Sequence, residues 1–424
     1  MAIRSEIGRL RRVLVHRPGP EVEEMTPSTA HELLYNDIVP VAAVQREHDE
    51  LRAVLSIVAE TVELEDAVTA VASADTGRER LAGLLGAGDD QRSAALLERW
   101  RGATPAEVVR DCVLGVRRTP RRLQERVSGD RYITPPLPNL YFTRDAGFVV
   151  FGGAYRSAMA SPVREAETAL VGAMFESFGF PLDEGLVRGD GLGGRLADPS
   201  AFKIEGGDVL VLDADTVLLG LGQRSSAAGI DALLESLAAG RDRPLTALVV
   251  ALPNERATIH LDMVATVVDH GVLLAYEPFV TGPSARPVYR ITVEPGRDAW
   301  TVADYGSLQM ALSACNYPVD LIPCGGSDPV VREREQWFAA CNSVALGPGH
   351  IVVYQNNPAT LDSLAQAGFA IRTGREVLAD PSVLVDTRGE LRRGRTAVAV
   401  DGVELARGGG GPRCMTMPLD RDGL

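Results

Sequence analysis

The chain has 424 residues, 45% of them hydrophobic, so it is long enough to bury a large core. Its formal net charge of −14 does not favour a nucleic acid, and suits a cationic small molecule if the acidic groups meet in one pocket. The mean hydropathy is +0.02 and no apolar run approaches membrane-spanning length, so we predict no membrane partner. Residues 1–6 lack the apolar core of a signal peptide, which predicts a cytoplasmic protein.

The first third of the chain predicts one strand followed by helices. Residues 12–16 predict a short strand, and apolar residues at helical spacing predict helices between residues 40 and 130. Thr104 precedes a proline and predicts the start of one of these helices. We expect residues 70–128 to form an all-helical insertion within a single catalytic domain, 1–424.

Beyond residue 135 one unit recurs, a pair of short apolar strands around a tight turn that is followed by a helix. Residues 146–154, 209–221 and 343–354 predict such hairpins, and residues 260–277 contain another. Recurrence suggests small sheets around an axis, with polar residues of distant segments gathered at the centre. An ordinary α/β domain with unrelated hairpins is the alternative. Residues 381–400 predict a peripheral hairpin without catalytic residues.

One of the five cysteines differs from the others in its surroundings. The odd number and the absence of a Cys-x-x-Cys pair predict neither a disulfide framework nor a zinc site. Cys414 follows the glycine run 408–411 and Arg413, which predicts an exposed thiol with a lowered pKa. A flexible tail with an incidental thiol is the alternative. The remaining four are expected to pack as small apolar residues: Cys112, Cys315, Cys324 and Cys341.

Strand alternation predicts two groups of polar side chains. His260 and Asp262 are two residues apart and would share a face, where His suits proton transfer near neutral pH. In residues 138–145, Leu140 and Phe142 would face the core. The opposite face of that segment would carry Asn139, Tyr141, Thr143 and Asp145.

Four more charged residues occupy the ends of predicted elements. Glu205 and Asp208 flank a Gly-Gly pair before a strand, Arg224 follows a strand and Arg164 lies at a helix start. A solvated turn or a surface charge is the ordinary alternative for each. Taken with the thiol and the His, the set suits a zwitterionic guanidino amino acid, because carboxylates match a guanidinium and arginines match a carboxylate. A thiolate and a His suit nucleophilic attack with proton shuttling.

Separated motifs over nearly the whole length make the chain resemble arginine deiminase, within the guanidino-group modifying superfamily. The motifs are SEIGRL at 5–10, HRPG at 16–19, PNLYFTRD at 138–145, EGGD at 205–208, HLD at 260–262, REQW at 334–337 and GGPRCM at 410–415. The resemblance implies an α/β fold, specifically a five-fold pseudo-symmetric α/β propeller of ββαβ-type modules with an all-helical insertion.

The resemblance also implies the reacting groups. Cys414 would be the nucleophile that forms a covalent amidino-enzyme intermediate, and His260 the general acid and base. Asp145 and Asp262 would clamp the guanidinium nitrogens, with Glu205 assisting. The implied reaction is hydrolysis of L-arginine to L-citrulline and ammonia, with no metal and no organic cofactor.

A second group of residues is implied to hold the substrate. Asn139, Arg164 and Arg224 would hold its α-carboxylate and amino end. Phe142 would lie near the substrate, which agrees with the alternation above only if the segment bends. Asp208 would support the residues that contact the substrate without contacting it directly. The implied partner is a small guanidino molecule, and a homo-oligomer stays open.

Departures from the family pattern leave other functions open. The second arginine of the family's glycine run is Gly409 here, the segment 374–402 is longer, and Ala146 stands where a proline is common. A deiminase of another guanidino compound or an amidinotransferase would keep the same Cys, His and carboxylates. A non-catalytic arginine-binding protein would keep only the scaffold.

Overall fold

The computed structural model describes residues 1–86, 89–119, 123–127, 131–180, 202–296 and 300–424. In this part of the chain, short strands form six small sheets. In chain order, strands β1 to β19 are Leu10–Val15, Glu60–Glu63, Val116–Arg117, Tyr132–Thr134, Gly147–Val150, Gly153–Arg156, Val209–Val211, Thr216–Leu221, Leu245–Ala251, Ala265–Asp269, Val272–Ala275, Val288–Val293, Thr301–Tyr305, Asp320–Pro323, Val344–Gly347, His350–Tyr354, Phe369–Thr373, Arg395–Val400 and Met417–Arg421.

The α-helices of the described residues lie mostly between these strands. They are Val41–Val58, Leu64–Ser73, Gly77–Gly86, Asp90–Arg99, Pro105–Leu114, Leu123–Val127, Thr143–Ala146, Glu165–Ser177, Ala227–Ala238, Glu277–Val280, Leu308–Ala314, Pro329–Trp337, Pro358–Gln366, Gly374–Ala379 and Val403–Gly408. None of them is both long and apolar enough to cross a membrane.

One unit recurs in four of the sheets, an antiparallel strand pair with a third strand parallel to one of the two. β7 and β8 pair antiparallel and β9 joins β8 in parallel, while β10, β11 and β14 repeat this arrangement. β15, β16 and β18 form the same unit, and so do β19, β1 and β2, in which the chain's last strand pairs with its first. The pair β5 and β6 is antiparallel. The hairpins predicted from the sequence are therefore confirmed.

Neighbouring units touch through their first strands and the turns before them. β19 contacts β5, β1 contacts β15, and β10 contacts β15 and β16. The turn Gly206–Asp208, which precedes β7, contacts the helix Thr143–Ala146 on one side and the turn Leu261–Met263 on the other. These contacts bring the segments that precede the first strands close together.

Helices dominate the region between β2 and β3, as the sequence predicts. The side chain of Thr104 accepts the backbone N–H of Glu107 and caps the helix Pro105–Leu114, which confirms the predicted helix start. Trp100 is buried in the core shared by these helices. Parts of the predicted insertion, residues 87–88, 120–122 and 128, lie outside the described residues.

The prediction of a peripheral hairpin at residues 381–400 is confirmed only around an isolated antiparallel bridge between Val385 and Leu391, and it is wrong for residues 395–400. Arg395–Val400 is β18, which lies between β16 and β17 in a four-stranded sheet and pairs in parallel with both. All of its residues except the first are buried. Its alternating Val and Ala residues occupy the middle of a sheet whose partner strands come from distant parts of the chain, so local pattern could not place it.

Candidate active site

Five segments build the site: four directly precede the first strand of a three-stranded unit, and one precedes the antiparallel pair β5 and β6. Asp145 lies before β5, Glu205 before β7, His260 before β10, Asn342 before β15 and Cys414 before β19. Because the unit repeats, equivalent positions bring residues from distant parts of the sequence to one place. The repeat thus explains why the candidate residues meet.

A cleft at this place is lined by most of the predicted site residues. Its lining in the described residues is Leu34, Asn139, Phe142, Asp145, Arg164, Arg224, Arg256, Ile259, His260, Gly408, Gly409, Gly410 and Cys414. Asp262, Glu205 and Asp208 do not line the cleft, and each of them is fully buried. The predicted site residues therefore fall into two groups: those that line the cleft, and three buried carboxylates that do not. One of these carboxylates, Glu205, contacts the lining residue His260.

The thiol of Cys414 is buried, whereas the sequence predicted an exposed thiol with a lowered pKa. The residue is 5% exposed, and burial with the carboxylates of Asp262 and Asp145 raises its pKa well above the ordinary value. Its N–H donates to Oδ1 of Asn342 at 3.0 Å, and its carbonyl accepts the N–H of Arg144 at 3.1 Å. A neutral thiol is thus held in a fixed position, and a cation that neutralises these carboxylates would lower its pKa.

The charge of Arg413 lowers the pKa of the Cys414 thiol less than burial and the two carboxylates raise it, and its guanidinium is bound to other partners. Nη1 lies 2.8 Å from Oδ2 of Asp262, and Nε and Nη2 donate to the carboxylate of Glu6 at 3.1 and 3.2 Å. Arg413 and Asp262 are almost completely buried, so each charge needs the other. Arg413 therefore anchors Asp262 behind the cleft.

His260 lies between two carboxylates. Nε2 is 2.8 Å from Oε2 of Glu205, and Nδ1 is 3.6 Å from Oδ1 of Asp145. Burial alone would lower the pKa of His260, but the charges of Asp145, Asp208 and Glu205 outweigh it and raise the pKa to about 9. A Cβ at Gly207 would lie 2.6 Å from Cγ of the ring, so only glycine allows this approach. The imidazole is protonated at neutral pH.

The strand alternation that grouped these residues is wrong in both places. Asp262 lies in a 3₁₀ turn, Leu261–Met263, and His260 is the extended residue before it. Asn139 and Phe142 precede the short helix Thr143–Ala146 and do not belong to a strand. Both Asn139 and Phe142 consequently line the cleft, which alternation had excluded for Phe142.

Arg164 lines the cleft, but protein groups occupy most of its guanidinium. Nη1 donates to Oδ2 of Asp145 at 2.7 Å and Nε donates to Oε2 of Glu167 at 2.9 Å. Nη2 donates to the carbonyl of Phe142 at 3.2 Å. Arg164 thus fixes the orientation of Asp145.

Arg224 has a looser environment. Its Nη1 lies 3.6 Å from Oε1 of Glu205 and makes no hydrogen bond in the described residues. The hydrogen bond with His260 and the charge of Arg224 outweigh burial and lower the pKa of Glu205 to about 2. Asp208 instead accepts the hydroxyl of Ser225 at 2.6 Å, and burial raises its pKa to about 7. Arg224 is therefore available to a ligand, whereas Asp208 supports the turn.

Asp145, Glu205 and His260 are the described residues that could hold a metal ion. Their candidate ligand atoms lie within 4.8 Å of one another. The same three atoms suit a cationic ligand, since two of the groups are carboxylates.

Sequence reasoning missed three residues of this site, Asn342, Glu167 and Arg256. Asn342 also donates from Nδ2 to the carbonyl of Asp262 at 3.3 Å, so it connects the segments of Cys414 and His260. Its position before β15 matches that of the other site residues before their strands, and the repeat could have revealed it. Glu167 and Arg256 carry no comparable signal.

A model of the arginine deiminase family matches residues 31–421. The arginine deiminase of Listeria welshimeri is 30% identical over 441 aligned residues, and that of Lactococcus lactis subsp. lactis is 31% identical over 445. Each alignment covers 100% of this chain and 98% of the relative.

Two solved structures share the α/β fold at low sequence identity. The N-terminal domain of ArgZ, an arginine dihydrolase from cyanobacteria, has a TM-score of 0.53 at 15% identity and covers 97% of this chain and 99% of its own. The Pseudomonas aeruginosa dimethylarginine dimethylaminohydrolase has a TM-score of 0.50 at 14% identity, covering 96% and 99%. The family match and the full-length relatives show that the chain belongs to the arginine deiminase family.

Proposed function

We propose that this protein is an arginine deiminase, which hydrolyses L-arginine to L-citrulline and ammonia through a covalent intermediate on Cys414. One observation carries the proposal: a held thiol and a protonated imidazole line one cleft beside buried carboxylates. This arrangement suits a cation with a carbon that a thiolate can attack.

The guanidinium would bind between Asp145 and Asp262. Oδ1 of each carboxylate is buried and accepts no hydrogen bond in the described residues. Buried acceptors without donors are costly, and the forked N–H groups of a guanidinium would satisfy both. Arg164 and Arg413 hold the other oxygen of Asp145 and Asp262, respectively, which leaves Oδ1 for the substrate.

The first half of the reaction would use Cys414 as nucleophile. The bound cation lowers the pKa of the thiol, whose proton passes to solvent, and sulfur forms a bond to the central guanidino carbon. The imidazolium of His260 donates a proton to one amino nitrogen, and the bond from carbon to this nitrogen breaks to release ammonia. A cationic amidino-cysteine remains.

The second half would use His260 as base. The neutral imidazole takes a proton from water as the water oxygen bonds to the amidino carbon. The carbon–sulfur bond then breaks, which leaves a thiolate and, after loss of one proton, citrulline. Glu205 would stabilise the imidazolium of His260 in both halves of the reaction through its hydrogen bond to Nε2.

Asn139, Phe142, Arg164 and Arg224 would bind the rest of the substrate, because all four line the cleft. Arg224 has an unbonded Nη1 for a carboxylate. Asp208 would act from behind, since it accepts the backbone N–H of Leu261, next to His260, at 2.9 Å.

The fold would be a five-fold pseudo-symmetric α/β propeller. Support comes from the four three-stranded units and the pair β5 and β6, whose segments contact one another in a ring. The ring runs from the helix Thr143–Ala146 before β5 through the turns Gly206–Asp208 and Leu261–Met263 to β10, β15, β1 and β19, and β19 contacts β5. The predicted all-helical insertion at 70–128 contains the short strand β3, so residues 70–128 would be a mainly helical insertion within one catalytic domain, 1–424. A homo-oligomer and a cytoplasmic location stay predictions.

The proposal is tested by incubating purified protein with L-arginine and no other additive. We expect citrulline and ammonia in equal amounts, and neither product from Cys414→Ser. A folded wild-type protein that leaves arginine unchanged would contradict the proposal.

A second candidate, a deiminase or amidinotransferase for another guanidino compound, is favoured by one observation. Gly409 lines the cleft at φ +104°, a conformation that suits glycine, where the family commonly has arginine. Turnover of another guanidino compound at a higher kcat/KM than arginine, or a requirement for an added amine, would support this candidate.

A further inference from the structure

Arg256 is a third guanidinium in the cleft, and the mechanism above gives it no role. It begins the 3₁₀ turn Arg256–Thr258, shortly before His260, and is half-buried. Nη2 donates a hydrogen bond to the carbonyl of Leu34, another lining residue. A Cβ at Gly409 would lie 3.8 Å from this nitrogen, so the guanidinium faces the glycine run that leads to Cys414.

The three arginines of the cleft differ in their counter-charges. Arg164 lies within hydrogen-bonding distance of Asp145 and Glu167. Arg224 has one distant carboxylate, Glu205, at 3.6 Å. Among the described residues no carboxylate lies within 4.0 Å of the guanidinium of Arg256, which makes no ion pair there.

Arg224 and Arg256 also influence each other. Arg224 and Arg256 both line the cleft, and burial and the positive charge of Arg224 lower the pKa of Arg256. Two neighbouring cations with little compensation repel each other, and an anion between them relieves the repulsion. The cleft therefore offers an anion site at the end where Arg224 and Arg256 lie.

We propose that Arg256 is a specificity-determining residue that binds the substrate's carboxylate together with Arg224, whereas Arg164 mainly holds Asp145. The inference rests on the proposed function, because it places the carboxylate of a guanidino amino acid at this end of the cleft. It defines the substrate class as guanidino compounds with a free carboxylate.

The test compares L-arginine with agmatine, which is the same molecule without its carboxylate. Both ligands are titrated by calorimetry into Cys414→Ser and into Cys414→Ser combined with Arg256→Met, in which turnover is blocked. We expect Arg256→Met to raise the dissociation constant of L-arginine about 10- to 100-fold, as for loss of a charged hydrogen bond. The dissociation constant of agmatine should change less than about threefold.

Two further variants complete the design. Arg256→Lys keeps the charge and should recover part of the affinity for L-arginine. Arg334→Met removes an exposed arginine on the helix Pro329–Trp337, outside the cleft lining, and should change neither constant.

Each other outcome overturns the inference. An equal loss for both ligands would show that Arg256 only supports the segment of Leu34. Unchanged binding of L-arginine would show that the carboxylate lies elsewhere. Citrulline formation by the wild-type protein is scored separately, so failure of the proposed function is distinguishable from failure of this inference.

Discussion

Two buried histidines, His16 and His260, each lie between two carboxylates, but the rest of their surroundings differs. The difference indicates a structural role for His16 and a catalytic role for His260. His16 has Nε2 3.3 Å from Glu21 and Nδ1 3.2 Å from Glu63. Hydrogen bonds and charges from both Glu residues outweigh burial and raise the pKa of His16 to about 10, close to the value of about 9 for His260. A raised pKa alone therefore does not distinguish a catalytic histidine from a structural one.

The carboxylates around the two histidines differ in their other partners. Asp145 and Glu205 each have an arginine within 4.0 Å, so they keep a counter-charge when His260 loses its proton. In the described residues neither Glu21 nor Glu63 has an arginine or lysine within this distance. His16 must therefore stay charged, whereas His260 can cycle between charged and neutral forms beside a cleft and a thiol.

Replacing His260 should have the largest effect. His260→Asn removes the proton donor and acceptor, and we expect kcat to fall about 10³-fold, within the range for general acid–base catalysis. The free energy of unfolding should fall less than in the corresponding His16 variant, because Asp145 and Glu205 retain the counter-charges of Arg164 and Arg224. Steady-state kinetics and urea unfolding measure the two quantities, and a variant with near-normal kcat would contradict the assignment.

Replacing His16 should reverse this pattern. His16→Asn leaves two buried carboxylates without their counter-charge, and we expect the free energy of unfolding to fall by ~3 kcal/mol, as when a buried ion pair is broken. The kcat of the folded variant should stay within about threefold of wild type, since His16 does not line the cleft. If kcat fell as far as in His260→Asn, the distinction between the two clusters would be lost.

Asn342 provides a test of how firmly the thiol is held. Asn342→Ala removes the acceptor for the N–H of Cys414, and we expect kcat to fall about 10- to 100-fold because the nucleophile is misplaced. Asn357→Ala is a matched control, since Asn357 is equally buried and donates instead to the carbonyl of Phe338. Equal losses of kcat in both variants would point to general destabilisation.

The smallest effects should appear in pH profiles. His16 and His260 have folded-state pKa values, about 10 and about 9, above the ordinary 6.5. Their charged forms therefore stabilise the fold fully below pH 6.5, and this stability is lost as pH rises through 9 to 10. Unfolding of His16→Asn should lack most of this alkaline loss, and an unchanged profile would show that His16 is not the charged group.

In wild type, kcat/KM should fall above pH 9 as His260 deprotonates.

Local pattern predicted the hairpins and the helix start at Thr104, because turn residues and capping act within a few positions. The alternation argument failed for His260 and Asp262, since a 3₁₀ turn replaces the expected strand. The thiol prediction failed because burial and the carboxylates of Asp262 and Asp145 raise the pKa of Cys414. Both carboxylates come from distant parts of the sequence, and no local signal links them to the thiol. The resemblance to the family identified residues from distant segments as one candidate site, which the spacing of residues within each segment could not do.

In the proposed reaction Cys414 attacks the guanidino carbon, and rapid-quench intact-mass spectrometry can detect the resulting adduct. Wild-type protein mixed with L-arginine and quenched in acid should carry a transient adduct equal in mass to arginine less ammonia. Peptide mapping should place the adduct on Cys414, and Cys414→Ser should carry none. Citrulline formation without an adduct, or an adduct on Cys315 in place of Cys414, would contradict the account.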